Sequence, residues 1–99
     1  MSTAPVRLWC IHGNVQPASV WDSIQHRVKA IRREVEFRNE DVWERAAFTF
    51  DAWTASFLAD VEAERSAADG NWLLGYSMGG RLAMHAVLMR PDLWKGAIF

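Results

Sequence analysis

The 99 residues carry 11 basic and 12 acidic side chains, and 51% of them are hydrophobic. This length and composition predict one globular domain and exclude a disordered chain. The balanced charge excludes a basic surface for nucleic acid or for an anionic membrane. No apolar run approaches the ~18 residues of a membrane span. A single cysteine cannot form an internal disulfide, so we expect a reducing, cytoplasmic setting.

Strand-like and helix-like patterns alternate along the first half of the chain. Residues 6–11 form a short β-prone run that ends at a turn signal. Pro17 suits the first turn of a helix, and residues 35–37 are a short strand candidate set among charges. The apolar side chains between them recur at helical spacing and predict a buried stripe, made of Val20, Trp21, Ile24, Val28 and Ile31.

The second half continues the alternation. Residues 69–70 are expected to end a second helix, residues 71–74 to form a buried strand, residues 79–89 a largely apolar helix and residues 97–99 a last strand. The stripe of the second helix consists of Phe50, Trp53, Phe57, Leu58 and Val61.

This order predicts an α/β fold with a parallel sheet of about four strands and helices on both faces. The chain stops inside an apolar run, so we expect residues 1–99 to be the front part of a longer domain.

The segment from Gly75 to Gly79 fits the pattern G-x-S-x-G between a predicted strand and a predicted helix. A nucleophile at such a turn needs a strained backbone, and glycines two residues before and after it avoid a clash. These features make Ser77 the candidate nucleophile. An ordinary turn rich in small residues is the alternative. A phosphate loop is disfavoured, because Arg81 and Leu82 stand where lysine and a hydroxyl residue are needed.

A nucleophile of this kind needs two N–H donors for the oxyanion that develops during reaction. One is expected from Met78, directly after Ser77. The other is expected from the loop after the first strand, where His12 and Gly13 precede Asn14. A plain turn is the alternative for the His-Gly pair alone.

His12-Gly13 together with the segment from Gly75 to Gly80 resembles the front half of an α/β-hydrolase-superfamily enzyme. The resemblance implies that residues 1–99 are the N-terminal part of such a domain, with the 35–37 strand outermost, followed by the first, third and last strands. It also implies that Ser77 is the nucleophile. The triad acid and histidine would lie in later sequence, so the 99-residue chain alone is expected to be inactive.

The run from Gly75 to Ala86, with residues 91–94, is similar to the 2-succinyl-6-hydroxy-2,4-cyclohexadiene-1-carboxylate synthases of menaquinone biosynthesis. That resemblance implies proton abstraction and pyruvate elimination without a cofactor, with Arg81 and Tyr76 contacting a small-molecule carboxylate. A surface arginine is the alternative for Arg81. A serine carboxylic-ester or thioester hydrolase, and a truncated non-catalytic chain, are the alternatives for function.

The remaining candidates have structural explanations. His85 lies about two helical turns after Ser77 and is expected in the core or at an interface. His26 belongs to a charged, solvated helix face, and Cys10 is expected to be an inert buried thiol. Most tryptophans are expected in the core, and Trp43 is the one that could reach a pocket. No His/Cys cluster has metal-ligand spacing, so no metal is expected.

Overall fold

The computed structural model describes residues 5–45, 47, 49–65 and 70–99. In this part the chain forms four strands, namely β1 (Val6–Ile11), β2 (Val35–Glu40), β3 (Gly70–Gly75) and β4 (Gly96–Ile98). The three α-helices are α1 (Asp22–Ile31), α2 (Phe50–Glu64) and α3 (Met78–Met89). Short 3-10 helices precede α1 and α2 and follow α3, at Ala18–Trp21, Val42–Glu44 and Pro91–Leu93.

The four strands form one parallel sheet in the order β2-β1-β3-β4, which confirms the predicted fold class and strand order. In its register, Ile11 of β1 lies beside Glu40 of β2 on one side and Gly75 of β3 on the other. The carboxyl ends of three strands therefore meet at the same edge. The loops that follow them lie together there, at the edge where parallel α/β sheets hold their ligands.

Helices cover both faces of the sheet, and each face has its own apolar cluster. On one face, α2 and α3 pack over Trp9, Ile11 and Leu73 of the central strands, with Phe57 fully buried among them. The predicted stripe of α2 is confirmed except for Phe50, which is 37% exposed. On the other face, the smaller cluster consists of Cys10, Trp21 and Phe37.

The apolar stripe predicted for the first helix is largely unburied, so this prediction is wrong. Trp21 is buried and Val28 is half-buried against the sheet, whereas Ile24 and Ile31 are 44% and 81% exposed. The reason is the position of α1 beside β2, at the edge of the sheet. Val28 of α1 and Trp21 of the preceding 3-10 helix reach the small cluster from there, and the rest of the stripe faces outward.

The second strand is twice as long as the three-residue candidate and runs to Glu40. The charged side chains on this strand form ion pairs within the fold, so they do not prevent it from joining the sheet. Arg38 forms a two-pronged ion pair with Glu64 of α2, and Glu40 pairs with Arg45 at 2.5 Å. Charged side chains on a strand cost little when each has a partner across the fold.

Two further expectations for the second half are corrected. Gly70 begins β3 instead of ending α2, which ends at Glu64, while Asp69 lies outside the described residues. Trp72, expected in the core, is 38% exposed. Its ring lies over Gly96 of β4, where an added Cβ would come within 2.2 Å of it. Its neighbours Asn71 and Leu73 are buried instead.

Candidate active site

Ser77 occupies the turn between β3 and α3, as the N-cap residue of the helix. Its backbone has φ 58° and ψ −119°, and it is the only non-glycine residue with a positive φ in the described part of the chain. Such a conformation costs about 1–3 kcal/mol and persists only where the surroundings impose it. The side chain is exposed at the carboxyl edge of the sheet.

Two glycines, Gly75 before Ser77 and Gly79 after it, make this turn possible. A Cβ on Gly75 would lie 2.4 Å from the Gly79 carbonyl oxygen. A Cβ on Gly79 would lie 2.1 Å from the Ile11 oxygen and 2.5 Å from the His12 oxygen. The helix therefore starts in direct backbone contact with β3 and with the end of β1. A Cβ on Gly80 would meet nothing closer than 3.4 Å, so Gly80 is not required by a close approach.

The loop after β1 lies beside this turn and is held by Gln16. The Gln16 side-chain oxygen accepts the Gly13 N–H at 2.9 Å, and the Gln16 N–H donates to the Gly13 carbonyl at 3.3 Å. Gly13 is buried, and the ring of Tyr76 packs 3.3 Å from where its Cβ would be. The sequence carries no signal for this role of Gln16, because the contact depends on how the loop folds back.

His12 is fully buried and links the first two loops of the edge. Its Nε2 accepts the backbone N–H of Val42 at 3.0 Å. Because a peptide N–H can only donate, the proton of the neutral ring lies on Nδ1, which donates to the Gly13 carbonyl at 2.8 Å. Both ring nitrogens of His12 are thus occupied in holding the loops together.

The backbone N–H groups of Met78 and Asn14 are the two predicted oxyanion donors. Met78 begins α3, where the first N–H groups have no partner inside the helix. Asn14 is exposed and directly follows the buried residues His12 and Gly13. Within the described residues, neither N–H donates a hydrogen bond to another residue. Both amides lie at the carboxyl edge that Ser77 occupies.

The two candidate substrate-binding side chains are on the outside of the same turn. Tyr76 is 59% exposed. Arg81 lies in the first turn of α3 and is exposed, and among the residues described it forms no ion pair. An anion-binding role and a surface role for Arg81 are both compatible with this position.

The other two histidines are remote from Ser77. His26 is on the exposed face of α1. His85, expected in the core or at an interface, lies on the surface between α2 and α3. Its side chain is 41% exposed, its Nδ1 is 3.6 Å from the Asp51 carboxylate, and its ring meets the edge of Phe50. The polar ring stays at the surface of α3, where it meets Phe50 and Asp51 of α2, whereas the buried positions of α3 hold small and aliphatic side chains.

Cys10 is fully buried in the middle of β1, as predicted. Burial raises the pKa of its thiol to about 12, because the apolar surroundings disfavour the thiolate.

An apolar cavity of about 460 Å³ opens next to the first turn of α3. Sequence reasoning pointed only to Trp43 for such a position, because the other lining residues come together through the fold alone. The cavity is lined by Val42, Trp43, Arg45, Ala47, Thr49, Phe50, Trp53, Met78 and Leu82.

The described ranges contain neither a candidate metal site nor a candidate membrane-spanning helix. No group of three or more His, Cys, Asp or Glu side chains is arranged to hold a metal ion there. No helix in those ranges has the length and apolar character needed to cross a bilayer.

Comparison with known proteins identifies the fold. No family model matches the sequence, and no curated protein matches it. Solved structures do match. An extracellular α/β-hydrolase from a Paenibacillus species, described as sharing structural and functional homology with tobacco salicylic acid binding protein 2, superposes with a TM-score of 0.73 at 20% identity. It covers 94% of this chain, which in turn spans 39% of that protein.

Two further solved structures give the same result. The pyrethroid hydrolase PytH has a TM-score of 0.69 at 20% identity, and a marine microorganism esterase has a TM-score of 0.70 at 19% identity. Each covers 94% of this chain, which spans 38% and 36% of their lengths. At this identity the likeness concerns the fold alone. The chain therefore has the fold of an α/β-hydrolase over the part that it shares with these enzymes.

Proposed function

We propose that this chain carries the nucleophile of an α/β-hydrolase-fold enzyme that cleaves carboxylic esters or thioesters. The observation that carries the proposal is the backbone of Ser77, strained at a strand-to-helix turn between two glycines that admit no side chain. Stored strain at one exposed serine is typical of a functional position. The printed names of the structural neighbours, a pyrethroid hydrolase and an esterase, agree with this class of reaction.

In this reaction Ser77 Oγ attacks the ester carbonyl carbon while a base takes its proton, and the carbonyl oxygen becomes an oxyanion. The N–H groups of Met78 and Asn14 would donate to that oxyanion. The Gly13 N–H is taken by Gln16, which leaves the Asn14 amide as the donor from the first loop. Collapse of the intermediate expels the alcohol or thiol, which takes the proton from the base, and leaves an acyl-serine that water then hydrolyses.

The base and the acid of the triad would come from outside residues 1–99. None of the three histidines suits the role of base. His12 uses both ring nitrogens in the fold, His26 is on α1, and His85 is about two turns along α3 from Ser77. The chain spans 36–39% of the neighbours' length, so a longer protein would have room for both groups.

The second candidate is a lyase of the 2-succinyl-6-hydroxy-2,4-cyclohexadiene-1-carboxylate synthase type. It is favoured by Arg81, an exposed cation one turn after Ser77 with no ion pair to any described residue, beside the exposed Tyr76. Such a cation is suited to a substrate carboxylate. In this candidate the triad removes a proton from substrate, and pyruvate is eliminated as the ring forms.

Steady-state kinetics on a longer protein that contains this chain would separate the two candidates. The ester hydrolase turns over p-nitrophenyl esters, and Ser77→Ala lowers kcat at least 10³-fold. Ser23→Ala, an exposed serine of α1, serves as the matched control and leaves kcat unchanged. The lyase instead releases pyruvate from its substrate, and Arg81→Ala raises its KM. Ester turnover that survives Ser77→Ala would overturn the nucleophile assignment.

A further inference from the structure

We propose that the cavity beside the first turn of α3 holds an uncharged, apolar group of the substrate, aromatic or branched aliphatic, while Ser77 attacks the neighbouring carbonyl. The inference rests on the hydrolase function proposed above and specifies its substrate class.

The cavity lies at the reactive edge of the sheet. Val42 and Trp43 belong to the loop that follows β2, and Met78 follows Ser77 directly after β3. Phe50 and Trp53 close the cavity from the first turn of α2. Since the register aligns the carboxyl ends of these strands, the cavity and Ser77 share one edge. A substrate carbonyl that meets the Met78 N–H would have one substituent next to the Met78 side chain.

Among the residues that the structure describes, the walls offer no free charge to a ligand. Arg45 is the single ionisable residue in the lining, and its guanidinium is fully engaged. It pairs with Glu40 at 2.5 Å and with Asp60 at 2.7 Å, and it donates to Ser56 Oγ at 2.8 Å. The guanidinium also lies over the Trp53 ring, 5.6 Å from its centroid. An anionic group in the cavity would be desolvated without a partner, which is costly.

Two further polar groups of the lining are likewise used by the fold. The Trp53 indole N–H donates to the Val42 carbonyl at 3.0 Å, and Thr49 Oγ accepts the Ala52 N–H at 3.0 Å. The remaining walls are apolar or aromatic, and Trp43, at 58% exposed, stands where the cavity meets solvent. A volume of about 460 Å³ falls within the ~300–1,000 Å³ range of ligand pockets. An aromatic or branched aliphatic group fits this chemistry.

The test is a titration that needs no catalysis. A longer protein that contains this chain is labelled with ¹³C at its methionine methyl groups and titrated with benzyl alcohol, a neutral aromatic compound, and separately with benzoate at pH 7. Met78 lines the cavity, while Met84 and Met89 lie outside it on the same helix, 48% and 46% exposed, and serve as internal controls. We expect benzyl alcohol to shift the Met78 methyl resonance saturably, with at most small shifts at the controls, and benzoate to bind at least tenfold more weakly.

Two tryptophan variants make the test specific to this cavity. Trp43→Ala should weaken the binding of benzyl alcohol at least fivefold. Trp72→Ala, an exposed tryptophan outside the lining, should change it less than twofold. The proposal is overturned if Met78 does not respond, if benzoate binds equally well, or if both variants behave alike. Because benzyl alcohol has no ester bond, such a failure leaves the Ser77 assignment standing. Saturable binding by the longer protein without any Ser77-dependent ester turnover by that same protein would instead overturn the proposed hydrolase function.

Discussion

The backbone conformation of Ser77 depends on two glycines, where a side chain would not fit. Gly75 and Gly79 allow α3 to start in backbone contact with β3 and with the end of β1, and this contact holds the serine at a positive φ. Gly80 is next to them in sequence but has ordinary space around its Cα. The three glycines of one motif therefore have different physical roles, and substitutions can separate them.

Gly79→Ala should destabilise the fold by about 1–3 kcal/mol or more, because its Cβ would overlap the Ile11 and His12 carbonyl oxygens and neither can move without disrupting β1. Gly80→Ala is the matched control. It should be neutral or stabilising by up to about 1 kcal/mol, since alanine favours a helix and its Cβ meets nothing closer than 3.4 Å. Urea unfolding midpoints measure both. Equal effects of the two substitutions would contradict the assigned close contact.

Cys10 should be unreactive in the folded protein. Burial raises the pKa of its thiol to about 12, so the reactive thiolate is scarce at pH 8 and the sulfur is also inaccessible. Ellman's reagent should label it only as fast as the protein unfolds, and fully in urea. Because its pKa is higher in the folded state, the stability that Cys10 contributes is present below the unfolded value and falls as the pH rises through it. Rapid labelling without denaturant would contradict its placement.

At the scale of elements, ion pairs on the face of the sheet that α2 covers connect β2 to β1 and to α2. Arg7 of β1 is buried and pairs with Glu36 of β2 at 2.6 Å and with Glu64 at the end of α2 at 3.3 Å. Arg38 pairs with Glu64 as well and lies 4.8 Å from the centroid of the Trp9 ring. Glu64 thus joins α2 to two strands.

Glu64→Gln should destabilise the protein by about 1–2 kcal/mol, less than for a fully buried pair because Arg7 keeps Glu36. The hydrogen bond from Arg38 lowers the pKa of Glu64, so its contribution is present above the unfolded value and is lost as the pH falls through the folded value. Urea unfolding at pH 7 and at pH 3 should show the difference shrinking in acid. Glu62→Gln, on the exposed side of α2, is the control and should cost less than about 0.5 kcal/mol.

These elements show which features the sequence could predict. The periodicity of α2 and the apolar run of β3 predict both elements, although Phe50 and Trp72 are exposed. The sequence underestimates the extent of β2, since Glu36 and Arg38 are paired with Arg7 and Glu64, which are distant in sequence. The burial of α1 was overestimated, because an apolar stripe does not reveal whether the sheet extends beneath it. The G-x-S-x-G spacing located Ser77 because the turn itself requires those residue types. The cavity and the Gln16 contact could not be predicted, since both arise from loops that meet only in the fold.

At the scale of the whole molecule, the described residues bring a strained serine and two unpartnered amides to one edge of a parallel sheet. His12 at that edge uses both ring nitrogens in the fold, and His85 lies about two turns along α3 from the serine. This arrangement corresponds to about 39% of the length of an α/β-hydrolase of the kind that it resembles in structure. A serine hydroxyl is a weak nucleophile until a base takes its proton. We therefore propose that this chain holds the nucleophile and its oxyanion donors and that the rest of the triad lies in other sequence.

Covalent labelling by a fluorophosphonate tests this central claim most directly. Attack by Ser77 Oγ on phosphorus expels fluoride and leaves a stable phosphonyl-serine, which mass spectrometry locates. In a longer protein that contains this chain, we predict one adduct per molecule, on the peptide that carries Ser77, and no adduct in Ser77→Ala; the Ser23→Ala control should label like the wild type. In the 99-residue chain alone, labelling should be at least 10³-fold slower, because no base activates the hydroxyl. An adduct on another residue of the longer protein, or equal labelling of the Ser77→Ala variant, would contradict the account.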